Sequence, residues 1–441
     1  MIKVSKFGGS SVANSEQFKK VKKIIESDIN RKFIVTSALG KGFKDDNKIT
    51  DLLYLCYAHV KYNVSYDNIF NIIKEKFITI KNELSLDINL EKEFEDIKKI
   101  IEEKDEEYLV SRGEYLTAKM LSEYLGATFI DAKDVIIFNY DLSLNMEEIK
   151  KRLDLYLKEK QKIVLPGFYG SLPNGIIKVM SRGGSDITGA ILANVVNADV
   201  YENWTDVSGF LIADPRIVDN PKRIKMINYN ELREMSYMGA NVLHDEAIFP
   251  IKEKNIPINV KNTNDPNNDG TMIINDCTEY DKKNKVYAIT GITGKKDFSV
   301  ISLVKANMSS EVGFLRKVLS IFEKYNISIE AVPVGVDSLG IVVQTKSVEE
   351  YLYGIIGELK NGLQCDEVNV INKISLIAVV GRGMKEKVGI SGKIFAEFGN
   401  NKINIKVINQ SSDEICIIVG VENKDFERAI NCIYDKFILE K

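Results

Sequence analysis

Two glycine-rich turns hold the residues of this sequence that are best suited to chemistry. The first, KFGGSS at residues 6–11, follows an apolar stretch that predicts a strand; the second, SRGGSD at residues 181–186, opens a helical pattern. Paired glycines let the backbone come close to a ligand, and the start of a helix favours negative charge. Lys6 and Arg182 add positive charge, and an arginine can hold a carboxylate or phosphate through two hydrogen bonds. Together the turns predict a site for a polyanion such as a nucleoside triphosphate.

Further polar patterns follow predicted strands or open predicted helices. They are Ser37 with the downstream Thr50, SRGE at residues 111–114, TDVSG at residues 205–209 and DPR at residues 214–216. Taken singly, each has a structural interpretation as well: Arg182 could form an ion pair, and Asp186 could stabilise a helix start. The P-loop pattern, GxGxxG and the protein-kinase patterns HRD and DFG do not occur. The site is therefore not predicted to be of those kinds.

The composition disfavours histidine-based and zinc chemistry. There are only two histidines, His59 and His244, and five widely spaced cysteines without a CxxC pair. A mechanism without a proton shuttle is favoured, and the scattered thiols predict a cytoplasmic location. The net charge of −3 gives no general attraction to nucleic acid. No apolar run approaches the ~18 residues of a membrane span, and no signal peptide is visible. We therefore expect no nucleic-acid and no membrane partner.

Strands alternate with helices through the first part of the chain. Phe18, Val21 and Ile25 lie on one face of a predicted helix, and residues 200–204 read as one of several strands. Alternation of this kind predicts an α/β fold with a mostly parallel sheet between helix layers. Ligands of such sheets bind beyond the carboxyl ends of the strands, where the glycine-rich turns are expected.

An internal repeat follows a charged stretch at residues 282–285 that we interpret as a linker. An offset of 76 residues maps Met308 onto Met384 and Gly313 onto Gly389 without gaps. The first copy, residues 298–372, has a βαββαβ pattern that includes a strand at residues 327–334. The second copy, residues 373–441, lacks its last strand. We predict that a strand at residues 285–293 completes it.

The motifs together resemble the aspartokinases of the amino-acid kinase superfamily. The matching stretches, in the family's order, are KFGGSS (6–11), SRGE (111–114), PGFYG (166–170), SRGGSD (181–186), WTDVSG (204–209), DPR (214–216), GANVLH (239–244) and IPINVKNT (256–263). The repeated units resemble ACT domains, which bind effectors. The resemblance implies an amino-acid-kinase fold over residues 1–284, followed by two ferredoxin-like ACT domains. With nothing after the second unit, a monofunctional aspartokinase is expected.

The resemblance implies transfer of the γ-phosphoryl group of ATP to the β-carboxylate of L-aspartate, the first step toward lysine, threonine and methionine. The composition agrees, because a carboxylate with a reference pKa near ~3.9 is ionised at pH 7 and has no proton to lose. Catalysis then consists of positioning and charge stabilisation. The implied cofactors are ATP and Mg²⁺, with the ion bridging phosphates and no metal ligands predicted in the chain.

The resemblance also implies roles for individual residues. Lys6 would stabilise the transferring phosphoryl group, with Gly8 and Gly9 as backbone donors. Asp186 and Glu114 would orient Lys6 or meet the substrate ammonium, and their separate roles stay open. The residues implied in aspartate binding are Ser37, Thr50, Glu114, Phe168, Arg182 and Ser185. Those implied in ATP binding are Lys6, Gly8, Gly9, Ser10, Thr205, Asp206, Asp214, Arg216 and Lys261.

The ACT-like pair implies feedback inhibition by lysine, threonine or both. The implied effector contacts, similar to those of lysine-sensitive members, are Met308, Gly313, Phe314, Leu315, Ser328 and Glu330. Glu330 stands where an aspartate is typical, and Val334-Gly335 replaces a Thr-Ser pair. Lysine is favoured because Glu330 can still pair with an ammonium group, and threonine stays open.

Open sheet edges favour pairing of the repeated units within and between chains, so a homodimer or tetramer through this region is expected. Two other functions stay open. Another amino-acid kinase, acting on glutamate, acetylglutamate, carbamate or UMP, would share the fold, although such kinases generally lack two ACT-like units. An inactive amino-acid sensor is the second alternative, and the intact Lys6, Glu114, Arg182 and Asp186 argue against it.

Overall fold

The computed structural model describes residues 1–43, 45–102, 105–157, 162–180, 183–240, 243, 249–284, 287–385 and 387–440. The strands of these residues are β1 (Lys3–Phe7), β2 (Arg31–Thr36), β3 (Thr128–Phe129), β4 (Ile163–Pro166), β5 (Tyr169–Ser171), β6 (Ile177–Val179), β7 (Val200–Thr205), β8 (Met226–Asn228), β9 (Ile258–Asn262), β10 (Thr271–Ile274), β11 (Gly291–Val304), β12 (Ser338–Gln344), β13 (Glu367–Val380), β14 (Val407–Gln410) and β15 (Cys416–Glu422).

The helices of the same residues are α1 (Ser15–Glu26), α2 (Ile49–Lys61), α3 (Asp67–Leu84), α4 (Leu90–Glu102), α5 (Glu106–Leu125), α6 (Ala132–Val135), α7 (Met146–Asp154), α8 (Gly184–Val195), α9 (Tyr229–Tyr237), α10 (Phe249–Lys252), α11 (Thr278–Lys283), α12 (Phe314–Lys324), α13 (Thr345–Val348), α14 (Leu352–Gly357), α15 (Ile390–Asn400) and α16 (Phe426–Tyr434). Short 3₁₀ or π turns occur at Gly9–Val12, Met308–Ser310, Glu358–Gly362, Arg382–Met384, Asn423–Asp425 and Asp435–Leu439. Within the described ranges, no helix has the length and apolar character needed to span a membrane.

The chain divides into two compact units. The first comprises Met1–Phe210, Lys225–Tyr229 and Val242–Cys277. The second comprises Leu211–Ile224, Asn230–Asn241 and Thr278–Lys441. Two segments from the region that the sequence assigns to one catalytic domain thus group with the second unit.

An eight-stranded sheet forms the centre of the described part of the first unit, in the order β3-β4-β2-β1-β7-β9-β10-β8. Neighbouring strands are parallel except for β9 and β10. The central strands β1 and β2 consist almost entirely of buried residues, as in sheets covered by helices on both faces. The predicted α/β fold with a mostly parallel sheet is confirmed. Because β1, β2 and β7 run in one direction, the polar segments that follow them meet at the same edge.

Helix α5 brings Glu114 into the interior of the first unit. Its residues between Leu109 and Ser122 are buried on most sides. Gly113 permits this packing, because a Cβ there would lie 2.9 Å from the Ala38 Cβ and 3.1 Å from Ile49 Cγ2. The helix therefore packs directly on the segment after β2 and on the start of α2.

A five-stranded antiparallel sheet, in the order β12-β11-β13-β15-β14, forms the described core of the second unit. The second part of β11, Phe298–Val304, pairs with β12. Its first part, Gly291–Lys295, pairs with Leu376–Val380 of β13, and the same part of β13 pairs with β15 on its other side. The ladder is irregular between Lys295 and Val300, where the halves meet. The two ACT-like repeats therefore share two continuous strands.

The predicted strand at residues 327–334 is wrong. This segment makes only isolated bridges, Ala331 with Val342 and Val334 with Leu339. Pro333 lies between them and has no N–H to donate, so a continuous ladder cannot form there.

The strand predicted at residues 285–293 starts later than expected. Lys285 and Val286 lie outside the described residues, and β11 begins at Gly291. Gly291–Thr293 pair with Ala378–Val380 of the second repeat. The preceding residues instead pack on Gly381, where a Cβ would lie 2.4 Å from the Ala288 carbonyl oxygen. The stretch at 282–285, interpreted as a linker, begins inside α11.

Candidate active site

A cavity of about 1160 Å³ opens at the carboxyl ends of β1, β2 and β7 in the first unit. Residues from distant parts of the chain share its wall. Those that the sequence analysis had singled out are Lys6, Gly8, Gly9, Ser10, Ser37, Thr50, Glu114, Phe168, Ser185, Asp186, Thr205 and Asp206. The parallel sheet thus gathers candidates for phosphate binding and for substrate binding in one place.

Lys6 and Asp186 form an ion pair in the cavity wall. The Lys6 ammonium lies 2.6 Å from Asp186 Oδ1, and both side chains are largely buried. The Asn203 side-chain amide donates a hydrogen bond to the same oxygen at 2.9 Å. A buried ammonium is stable only with such partners. The pair joins β1 to the first turn of α8 and keeps the Lys6 ammonium beside the backbone of Gly8.

The turn at Gly8-Gly9 is held from both sides. The Gly8 N–H donates to the Trp204 carbonyl oxygen at 2.9 Å, which ties the turn to β7. On the other side, the Gly40 N–H donates to the Gly9 carbonyl oxygen, also at 2.9 Å. A Cβ on Gly40 would lie 2.5 Å from the Gly9 carbonyl carbon, so only glycine fits this contact. The backbone of the turn is fixed by the protein itself.

Glu114 is a buried carboxyl group with an unsatisfied oxygen. Its Oε2 atom has no hydrogen-bond partner among the described residues. Burial raises the pKa of Glu114 to about 8, although the Ala38 backbone N–H acts in the opposite direction. A cationic group of a ligand would restore the charged form and supply the missing partner.

Phe168 has a strained backbone at the cavity wall. Its φ of 77° lies in the left-handed region, which bulky residues rarely adopt. The Phe168 N–H donates to Thr188 Oγ1 at 3.1 Å, and its carbonyl oxygen accepts from the Met180 N–H at 2.7 Å. A Cβ on Gly184 would lie 2.9 Å from the ring. Strain of this kind costs on the order of 1–3 kcal/mol and persists where neighbouring contacts fix it.

Several predicted site residues are not among those lining the cavity. Arg182 lies outside the described residues, as does His244, which the sequence did not assign to the site. The Lys261 ammonium lies 5.3 Å from the centre of the Trp204 ring, and burial lowers its pKa. Asp214 and Arg216 belong to the second unit, where they form an ion pair at 2.6 Å with the arginine largely exposed.

The structure also shows cavity residues that sequence reasoning missed. Lys41 and Lys48 line the cavity from the loop between β2 and α2. Asp46 holds this loop by accepting a hydrogen bond from the Gly42 N–H at 2.8 Å and by pairing with Lys76 of α3 at 2.7 Å. The available signal was the position of the loop, which follows β2 as the glycine-rich turn follows β1.

The implied effector residues lie in the second unit. Met308 and Phe314 are buried, Gly313 has a φ of 79° at the start of α12, and Leu315 and Ser328 are exposed. Glu330 accepts a hydrogen bond at 2.7 Å from the hydroxyl of Tyr237, at the end of α9. Burial and this hydrogen bond raise the pKa of Tyr237 to about 12, so its hydroxyl keeps the proton that it donates.

Comparison with known proteins extends over the whole chain. Residues 1–262 match the model of the amino acid kinase family, and residues 377–437 match an ACT domain. Aspartokinase 3 of Bacillus subtilis is 34% identical, over 99% of this chain and 98% of that protein. The bifunctional aspartokinase/homoserine dehydrogenase of Haemophilus influenzae is 31% identical, and this chain spans 55% of its length.

Solved structures give the same result. The crystal structure of Clostridium acetobutylicum aspartate kinase superimposes with a TM-score of 0.90 at 49% identity, covering 99% of both chains. E. coli aspartokinase III in complex with aspartate and ADP has a TM-score of 0.77 at 25% identity, covering 100% of both chains. The same protein in complex with lysine and aspartate has a TM-score of 0.78 at 25% identity, covering 99% of both chains.

The chain therefore belongs to the amino acid kinase family. Within it, identity along the whole length places the chain among the aspartokinases, enzymes that phosphorylate aspartate, here with an ACT region for allosteric control. The expected enzyme class and the expected combination of kinase and ACT domains are confirmed.

Proposed function

We propose that the cavity of the first unit binds ATP and L-aspartate together and transfers the γ-phosphoryl group to the β-carboxylate, giving 4-phospho-L-aspartate. The observation that carries this assignment is the Lys6–Asp186 pair at 2.6 Å beside the fixed Gly8-Gly9 turn. Such an arrangement suits a reaction that needs charge stabilisation and positioning. The attacking carboxylate is already ionised at pH 7, so no general base is required.

In this proposal Lys6 neutralises charge that develops on the transferring phosphoryl group. Asp186 keeps the ammonium in place, with Asn203 as its second partner. The Gly9 N–H lies at the carboxyl end of β1, where it can approach phosphate oxygens. The Gly8 N–H already donates to the Trp204 carbonyl oxygen, so Gly8 contributes through the close approach of its backbone and not as the donor that the sequence implied. ATP enters as its Mg²⁺ complex. We propose that the ion is held mainly by the phosphates.

The aspartate is proposed to bind on the side of Glu114. Its ammonium would pair with the unsatisfied Glu114 carboxylate and bring the pKa of that group back down. We assign the remaining aspartate contacts to Ser37, Thr50, Phe168, Ser185 and, outside the described residues, Arg182. We assign the nucleotide contacts to Ser10, Thr205 and Asp206 in the cavity, and to Lys261, Asp214 and Arg216 beyond its lining.

Lysine is the proposed effector, with threonine as the alternative. E. coli aspartokinase III has been crystallised with lysine, and the present chain keeps a carboxylate, Glu330, to receive an ammonium. We also propose a homodimer or tetramer through the ACT region and a cytoplasmic location. The free and buried state of all the cysteines agrees with a reducing compartment.

Trapping the acyl phosphate as a hydroxamate tests the substrate assignment. The purified protein with MgATP and hydroxylamine should give hydroxamate with aspartate and none with glutamate. Product with glutamate alone would assign the chain to a different amino-acid kinase. No product with any amino acid, together with binding of lysine or threonine, would identify an inactive sensor. Either result would overturn the proposal.

A further inference from the structure

The described parts of the loop between β2 and α2, Gly40–Phe43 and Asp45–Lys48, present two lysines to the cavity. Lys41 and Lys48 both line it, and both are exposed. Neither has an ion-pair partner among the described residues. Their ammonium groups are therefore available to a ligand in the cavity.

The charge balance of the cavity calls for such groups. Lys6 is already paired with Asp186, and Asp51 and Asp206 add negative charge to the described wall. ATP brings a polyphosphate, and aspartate brings two carboxylates. Buried or partly buried anions need positive partners, and within the described lining only the two loop lysines are cations that have not been paired by the protein.

Asp46 and Lys76 hold the backbone of the loop near Lys41 and Lys48. The Asp46 carboxyl is 8% exposed, accepts hydrogen bonds from the backbone N–H groups of Gly42 and Asn47, and pairs with Lys76 at 2.7 Å. The Lys76 ammonium also donates to the Asn47 carbonyl oxygen at 2.6 Å. Groups held in advance bind with a smaller loss of conformational entropy.

The two ends of the loop lie against different parts of the cavity. Lys41 directly follows Gly40, whose backbone packs on Gly9 of the phosphate-binding turn. Lys48 is the N-cap residue of α2 and makes no capping hydrogen bond. A cation at that position opposes the positive end of the helix and lowers stability, unless an anion binds there.

The start of α2 also contacts the part of α5 that carries Glu114. Ile49, the residue after Lys48, lies against Gly113, where a Cβ would be 3.1 Å from its Cγ2 atom. The residue after Lys48 thus packs on the residue before Glu114, whereas the residue before Lys41 packs on the Gly8-Gly9 turn.

We propose that Lys41 binds the polyphosphate of the nucleotide, that Lys48 binds a carboxylate of aspartate, and that Asp46 is a positioning residue for both. This inference rests on the proposed function and adds binding residues to the same site.

Three methionine variants test the assignment: Lys41→Met, Lys48→Met and, as a control, Lys61→Met at the far end of α2. Lys41→Met should weaken ADP binding, measured by calorimetry without aspartate, and raise the KM for ATP about tenfold, the size of one charge-assisted hydrogen bond. Its KM for aspartate should stay within about twofold of wild type. Lys48→Met should raise the KM for aspartate about tenfold and leave ADP binding and the KM for ATP within about twofold of wild type. Lys61→Met should change neither of the two KM values.

Asp46→Asn tests the positioning role. It should raise both KM values while kcat at saturation stays near the wild-type value, because the reacting groups are untouched. Unchanged KM values in this variant would remove Asp46 from the proposal. Unchanged ADP affinity in Lys41→Met, or an exchanged pattern between the two lysine variants, would overturn the assignment of the lysines. Absence of acyl phosphate in the wild-type enzyme would instead overturn the proposed function, while the ADP titration would still decide the role of Lys41.

Discussion

Asp186 and Glu114 are two carboxyl groups of one cavity with different surroundings. Asp186 has Lys6 at 2.6 Å, whereas one oxygen of Glu114 has no partner among the described residues and burial raises its pKa to about 8. This contrast supports Asp186 as the group that orients Lys6 and Glu114 as the group that meets the substrate ammonium. The sequence left the two roles open, because the burial of a side chain depends on segments far away in the chain.

Replacing Glu114 by glutamine should affect aspartate and spare the nucleotide. Glu114→Gln keeps the shape of the side chain and removes the countercharge for the ammonium, so the KM for aspartate should rise about tenfold or more. The ADP affinity should stay unchanged. Steady-state kinetics with calorimetry measures both, and an unchanged KM for aspartate would contradict the role given to Glu114.

The raised pKa of Glu114 also predicts how stability depends on pH. The folded state holds this proton up to about pH 8, whereas the unfolded chain releases it near the usual value of 4.5. Between these two pH values the folded state binds more protons than the unfolded chain. The stabilising contribution of Glu114 to the free energy of unfolding is therefore full below pH 4.5 and is lost as the pH rises through 8. Urea unfolding without ligands should show a steeper loss of stability with pH in the wild type than in Glu114→Gln. Parallel curves would contradict the shifted pKa.

Among the elements, the turn after β1 and the loop after β2 differ in how far sequence could predict them. A glycine pair between a strand and a helix is a local pattern, so the turn at Gly8-Gly9 could be recognised. The contact of Gly40 with Gly9 joins two segments and leaves no local signal, and the loop lysines were missed for that reason. The strand predicted at residues 327–334 does not form, although apolar residues alternate there as in a strand. Pro333 removes one of the hydrogen bonds that a continuous ladder would need.

Gly40→Ala should disturb the Gly8-Gly9 turn, to which we assign phosphate binding. The added Cβ would lie 2.5 Å from the Gly9 carbonyl carbon, so the backbone of one segment must shift. We expect a loss of about 1–3 kcal/mol in the free energy of unfolding and weaker ADP binding. Gly42→Ala is the matched control in the same loop, because its Cβ would meet no atom closer than 3.5 Å. Thermal unfolding and ADP titration compare them, and equal behaviour of the two variants would contradict the close packing.

At the level of the whole molecule, the sequence showed the repeat but not what its copies share. The 76-residue offset is visible in the chain, whereas the continuous strands β11 and β13 and the inclusion of α9 depend on tertiary packing. Within the second unit, α9 contacts both repeats. Tyr237 donates to Glu330 of the first, and Glu231 pairs with Arg382 of the second at 2.8 Å. Both repeats therefore contact the same helix.

Tyr237→Phe should change the response to lysine. In the wild type an effector ammonium must compete with the Tyr237 hydroxyl for Glu330. Removing this hydroxyl should therefore tighten lysine binding about five- to tenfold, the equivalent of one hydrogen bond. The uninhibited kcat should stay the same. Tyr353→Phe, at a tyrosine that is 88% exposed in the same unit, is the control. Inhibition curves and lysine titration measure the change, and equal lysine affinity in all three proteins would exclude Glu330 as the effector ligand.

The central claim is that the cavity around Lys6 phosphorylates aspartate, and turnover by Lys6→Met tests it most directly. With MgATP and aspartate, the wild type should form ADP and 4-phospho-L-aspartate in equal amounts, followed by phosphorus NMR and hydroxamate trapping. The folded Lys6→Met variant should lose about 10²–10³ in kcat, the effect of removing one group that stabilises transition-state charge. A variant with near wild-type kcat, or a wild-type enzyme that leaves aspartate unmodified, would contradict the account.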